Sequence, residues 1–264
     1  MNELIESLVD RLGTDDVRQS SVIPWSSPVP VFGNLGTSTV ATLGLNPSNR
    51  EFVDANGREL DGNLRRFHTL RSLGIDTWAS ARIKHIRLIV DSCRRYFAVN
   101  PYDAWFRRLD NIIGARASFY GSAAAACHLD LIPYATARKW TELVPNERAR
   151  LLRAAGDTLG VMLRNSSIRV LLLNGRSVIE HFVELSKTTL SSRPINAWCL
   201  PRSEAPVLGY SYRGRTTCFG SIPLGREVLV LGYNHNIQSS FGVTTGVVNS
   251  IRQWFGRAAR NALA

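Results

Sequence analysis

Four short apolar runs constrain what this chain can fold into: residues 39–45 (T-V-A-T-L-G-L), 123–131 (A-A-A-A-C-H-L-D-L), 169–173 (R-V-L-L-L) and 227–231 (E-V-L-V-L). Each is continuous rather than alternating and closes on turn-forming residues, so each reads as a strand buried on both faces. Helical patterns fall between them. This alternation predicts an α/β chain, a three-layer αβα arrangement around a central, mostly parallel four-stranded sheet. A length of 264 residues suits a single domain, residues 1–264, with insertions.

The strand ends carry the chemistry. The first run closes on Gly44 and then on Asn46-Pro47-Ser48. Proline fixes its own φ and drives the residue before it out of the helical region, so Asn46 is expected to be extended with its amide held in one direction. The other runs end at Asp130, at Asn174 and, beyond Gly232-Tyr233-Asn234, at His235. In parallel sheets ligands bind beyond the carboxyl ends of the strands, so these four polar residues are expected to converge on one pocket. The plain alternatives are structural: an Asn-Pro turn, a carboxylate capping a turn or paired with an arginine, and a surface-turn histidine.

Between these ends, Leu4, Ile5, Leu8, Val9 and Leu12 mark an amphipathic first helix. Residues 22–34 read as an extended lead-in and residues 49–62 as a loop. A helix from Leu64 would carry Phe67, Leu70 and Leu73 on one face and stop at Gly74. Helices are expected over residues 79–97 and 101–113, with Arg82, Arg87, Arg94, Arg95, Arg107 and Arg108 exposed, and over 146–163, 177–185 and 243–262. Residues 207–219 suggest a hairpin turning at Arg213-Gly214.

A net charge of +11, supplied almost entirely by arginine, favours a polyanionic partner or reflects nothing more than a solvated basic surface. The opening residues lack the pattern of a signal peptide, no run is long enough to span a membrane, and Cys93, Cys127, Cys199 and Cys218 include no C-x-x-C pair. A cytoplasmic protein with mostly buried thiols, no metal and no disulfide is expected. Neither a P-loop nor a dinucleotide fingerprint is present, and there is no G-x-S-x-G and no H-E-x-x-H.

G-L-N-P-S at 44–48, followed by N-H-N-I-Q-S-S at 234–240, resembles the paired signature motifs of the uracil-DNA glycosylase superfamily. The first is similar to the G-x-N-P-G form of its mismatch-specific and single-strand-selective branches, the second to the H-P-S motif. The likeness covers about residues 28–246. It implies DNA as partner, base flipping, no cofactor, no obligate protein partner and a monomer. It also implies roles: Asn46 holds the water that attacks C1′, and His235 donates to the base O2 as negative charge develops. Gln238, Ser239 and Ser240 stand where a loop wedges into DNA, though less apolar than usual. Phe67, or alternatively Phe52, would stack on the extruded base, unless it is simply core. Leu45, Ser48, Asp130 and Asn174 would line the base pocket.

Two departures from the family refine the implied substrate. Uracil-strict members wall off the base C5 with a Tyr where this chain has Ser48, so a C5 substituent would fit. Asp130 stands in place of the Asn that reads uracil, and a carboxylate suits the N4 amino donor of cytosine. A hypermodified cytosine, such as the glucosylated 5-hydroxymethylcytosine of some phages, is the expected substrate, in an antiviral role. The alternatives are repair of uracil or another deaminated base, and a non-catalytic nucleic-acid-binding module. A lyase is not expected, because none of Lys84, Lys139 and Lys187 adjoins a strand-end motif.

Overall fold

The structure, a computed structural model, describes residues 1–99, 103–121, 125–201, 205–238 and 242–264. Its strands are β1 (Val31–Phe32), β2 (Val40–Gly44), β3 (Ala126–Asp130), β4 (Val170–Asn174), β5 (Ser191–Pro194), β6 (Tyr210–Phe219) and β7 (Ile222–Tyr233). Its helices are α1 (Asn2–Arg11), α2 (Asp15–Arg18), α3 (Leu70–Leu73), α4 (Ile83–Val99), α5 (Asp103–Ile113), α6 (Pro145–Ala155), α7 (Thr158–Arg164), α8 (Arg176–Ser186) and α9 (Thr245–Ala258). The chain divides into two compact units: Met1–Asn34, Leu45–Pro101 and Leu129–Leu159 form the first, and Leu35–Gly44, Tyr102–His128 and Gly160–Ala264 the second.

The protein is α/β, and its sheet has seven strands in the order β1-β3-β2-β4-β7-β6-β5 rather than the expected four. The four apolar runs are neighbours in its middle. β2, β4 and β7 are parallel, with Leu43 beside Leu173 and Asn174 beside Tyr233. All of β2, β3 and β4 is buried, as their continuous apolar sequence requires. The extra strands escape a search for apolar runs because β1 has two residues, β5 is exposed throughout, and β6 buries only Ser211, Thr216 and Phe219.

No hairpin turns at Arg213-Gly214. β6 runs through these residues, with Gly214 opposite Val230, and the chain reverses at 220–221 so that Phe219 faces Ile222. The glycine serves a close approach instead. A Cβ on Gly214 would lie 2.6 Å from both Leu190 Cδ2 and the Thr189 carbonyl oxygen.

In the first unit α1 buries two faces. Leu8 and Leu12 pack with Val22, Ile132, Tyr134 and Leu151, while Ile5 and Val9 pack with Leu73, Ile86 and Ile89. The predicted helix over 146–163 breaks into α6 and α7 at Gly156, whose φ of 55° follows the last turn of α6. Arg11 Nη1 seals that end by donating to the Ala154 and Ala155 carbonyls, both at 3.1 Å, where a cation also meets the negative end of the helix. The predicted helix from Leu64 is only the four residues of α3, stopped as expected by Gly74 in the left-handed region. Phe67 is buried on a bend before α3, not on a helix face.

Among the described residues no helix is long and apolar enough to cross a membrane. All six arginines singled out on the 79–113 stretch are exposed. Cys93 and Cys127 are buried, whereas Cys199 is intermediate and Cys218 exposed, so the thiols are less uniformly buried than expected. Gly214→Ala tests the close approach: in chemical denaturation it should cost about 1–3 kcal/mol, as overpacking does, and an unchanged stability would contradict it.

Candidate active site

Asn46 lies two residues past the end of β2, in the first unit, and is partly buried. Its Nδ2 donates to Thr136 Oγ1 at 3.0 Å, to the Pro47 carbonyl at 3.1 Å and, more weakly, towards the Tyr134 carbonyl at 3.4 Å. The Thr136 hydroxyl spends its own proton on the Arg138 carbonyl at 2.7 Å. All three neighbours of the amide therefore accept. This fixes which way it points, and no described group donates to Oδ1. The result is an oriented acceptor.

Thr136 is placed by the segment that follows β3. Residues 131–137 are pinned to the lead-in by Val29 N to Pro133 O at 2.7 Å, Ile23 N to Ala135 O at 2.9 Å and Ala137 N to Ser21 O at 2.7 Å. Tyr134 also donates its hydroxyl to the Leu8 carbonyl. Leu45 packs against this core and its carbonyl accepts from Ile132 N at 2.8 Å, so its visible role is support. Ser48 is exposed and caps a 3₁₀ turn over Asn49–Glu51 by accepting from Arg50 N.

That turn delivers the residue that sequence reasoning missed. Glu51 is 3% exposed and its Oε2 accepts from Tyr96 Oη at 3.0 Å and from Arg66 Nη1 at 3.4 Å. Burial pushes its carboxyl from an ordinary 4.5 up to about 7, against the opposing pull of Arg66 and Tyr96, and the charge of Asp130 adds to the rise. Asp130, at the end of β3, is equally enclosed at 2% exposure. Nothing in a polar N-R-E tripeptide marks its glutamate as buried. Phe67 stacks on Tyr96 with centroids 5.2 Å apart, within a cluster that includes Phe32 and Phe52, and both Phe67 and Phe52 are 1% exposed. As they stand, both rings are core.

The second unit, taken by itself, holds a buried pair of amides. Asn174 Nδ2 donates to Gln238 Oε1 at 2.9 Å, while Asn174 Oδ1 and Gln238 Nε2 are buried with no partner among the described residues. Turning both amides over would leave the same inventory, one donor and one acceptor unmet among the described residues. Arg108 of α5 reaches the Ile237 and Gln238 carbonyls at 3.3 and 3.4 Å. Ser239 and Ser240 lie outside the described residues.

His235 is 2% exposed and sits with Nε2 at 2.6 Å from the Trp198 carbonyl oxygen. A carbonyl only accepts, so Nε2 carries the proton. Nδ1 is then an acceptor in the neutral ring and a donor only in the imidazolium. His235 is thus no surface-turn histidine. Donation of a hydrogen bond to a base oxygen requires either a protonated ring or release of Trp198. Asn234 is equally committed, accepting from Tyr210 N and donating to the Leu208 carbonyl, both at 2.8 Å.

Glu51 makes stability depend on pH in a definite sense. Its folded value of about 7 lies above the ordinary 4.5, so the folded chain binds more protons between them and stability from this group is lost as pH rises through about 7. Glu51→Gln should therefore gain on wild type by about 2–3 kcal/mol in unfolding free energy between about pH 5 and about pH 8. A constant difference across that range, from urea unfolding, would contradict the buried neutral carboxyl. Compared with known proteins, the chain matches no family model, and no curated protein matches it significantly.

Proposed function

We propose that this chain is a monofunctional DNA glycosylase of the uracil-DNA glycosylase type. In this reading it extrudes a C5-modified base, above all a hypermodified cytosine such as glucosylated 5-hydroxymethylcytosine in phage DNA, and leaves an abasic site as antiviral defence. DNA is its partner and no cofactor takes part. The reading carries with it a three-layer αβα arrangement around the four adjacent strands β3, β2, β4 and β7.

The observation that supports it best is the Asn46 amide, held by three acceptors with Oδ1 left over. An amide oxygen accepts one hydrogen of a water and aims its lone pair at C1′, but it is too weak a base to take the proton early. Bond cleavage must then run ahead of attack, with charge building on the departing base. Asp130 supplies an acceptor for an exocyclic amine, and Ser48, small and exposed, raises no wall against a C5 substituent. Within the second unit, the Asn174–Gln238 pair leaves one buried donor and one buried acceptor without a described partner. The exposed arginines suit the phosphate backbone.

One observation favours a rival, the non-catalytic nucleic-acid-binding module: His235 Nε2 is engaged by the Trp198 carbonyl and so looks structural. A panel of matched oligonucleotides separates the readings. Alkali-revealed strand cleavage should be confined to glucosylated 5-hydroxymethylcytosine among that base, 5-hydroxymethylcytosine, cytosine and uracil. Asp130→Asn should lose about tenfold or more on the cytosine-type substrate by forfeiting the N4 contact. Cleavage of uracil alone would return the protein to base repair, and DNA binding without any cleavage would leave only the binding module.

A further inference from the structure

Glu147 sits in the first turn of α6 and is only 7% exposed. A carboxylate so enclosed needs donors, and each of its oxygens has one: Oε1 accepts from Ser21 N, and Oε2 from Arg138 Nη2 at 2.9 Å. Arg138 is clamped a second time, with Nε and Nη2 donating to Ser21 Oγ at 3.0 and 2.7 Å. The main chain repeats the connection, Ala137 N donating to Ser21 O at 2.7 Å. These bonds fix the turn whose Arg138 carbonyl takes the Thr136 hydroxyl proton at 2.7 Å. That hydroxyl is then left to accept from Asn46 Nδ2, at 3.0 Å. All of these residues lie in the first unit, and a hydrogen bond joins them at every step from Glu147 to the amide.

We propose that Glu147 is a positioning residue for base excision: acting through Arg138 and Thr136, it keeps the Asn46 amide turned with Oδ1 towards the attacking water. This rests on the glycosylase reading. Orientation matters because the two ends of an amide are opposite in character, an oxygen that accepts and a nitrogen that donates. A hydroxyl can serve either end. Once the Arg138 carbonyl withdraws, the Thr136 proton is free to go to Asn46 Oδ1, and the reversed amide presents Nδ2, which cannot accept a hydrogen of the water. The Pro47 and Tyr134 carbonyls still favour the working orientation, so loss of the clamp weakens the preference without abolishing it. Held by the ion pair and by Ser21, the carbonyl leaves the hydroxyl a single role.

The test uses Glu147→Gln, whose amide nitrogen must face Ser21 N or Arg138 Nη2, donor against donor, and the milder Ser21→Ala, which removes only the hydroxyl that Arg138 grips. Single-turnover base release from DNA carrying glucosylated 5-hydroxymethylcytosine should slow about tenfold or more in Glu147→Gln with DNA affinity unchanged, as when a remote change displaces a reacting group. Added to Thr136→Val, Glu147→Gln should slow the reaction no further, because the path to Asn46 is already cut. Two effects that multiply, or a loss explained by weaker DNA binding, would overturn the proposal. A second readout does not depend on catalysis: hydrogen exchange of the Asn46 side-chain amide, followed by NMR of the full chain. It should quicken in Glu147→Gln and in Ser21→Ala, whereas Thr136→Ser, which keeps a hydroxyl, should match wild type. Wild-type exchange in both folded clamp variants would refute the role. Failure of wild type to release any base, with Asn46 exchange still governed by Glu147, would support the positioning and count against the glycosylase reading alone.

Discussion

The candidate chemistry depends on one constrained amide. Asn46 can hold a water only if its oxygen faces outward, and that orientation is set by three acceptors gathered around its nitrogen. The decisive one is Thr136, a hydroxyl whose proton is already committed to the Arg138 carbonyl. Thr136 in turn is positioned by the buried segment after β3, tied to the lead-in by main-chain hydrogen bonds and to α1 through Tyr134. Packing of α1 against Ile132, Tyr134 and Leu151 is thus linked to the direction in which one side chain points. A rigid acceptor of this kind needs no reorganisation when a ligand arrives, which is where preorganised polar groups gain their effect.

Electrostatics around the first unit's loop follow a different logic. Glu51 sits against Tyr96, a member of the aromatic cluster, where ionisation is costly, and a guanidinium only partly offsets that cost. A purely structural site would be served as well by an apolar residue. An acid kept in such a place, with one oxygen saturated and the other open, is therefore an informative departure from ordinary core packing. In the second unit the same argument applies to Asn174 and Gln238, which bond to each other and still leave a buried donor and acceptor unmet among the described residues.

Much of the sheet was legible in the sequence because doubly buried strands must be apolar throughout, and β2, β3, β4 and β7 announce themselves that way. The edge strands did not, since β5 is wet along its length and β6 buries only three scattered residues, Ser211, Thr216 and Phe219, with a glycine at 214 that reads as a turn. Strand-end residues were legible for the same reason as the strands. What could not be read was which polar atoms are already spent. Asn46 keeps its oxygen, whereas His235 has committed Nε2 to Trp198, a residue 37 positions away that no local motif connects to it. Glu51 escaped notice because a short 3₁₀ turn, not a periodic pattern, carries it inside. Phe67 shows the reverse error: a spacing that suggested a helix face belongs to a bend before α3 that enters an aromatic cluster.

The most direct measurement is single-turnover release of base from DNA carrying glucosylated 5-hydroxymethylcytosine, comparing wild type with Asn46→Ala at matched DNA binding. An oriented water predicts that wild type forms abasic sites and that Asn46→Ala binds as well but loses about a hundredfold or more in rate, on the scale of other preorganised polar groups. Equal release by both proteins, or none by wild type while binding persists, would contradict it.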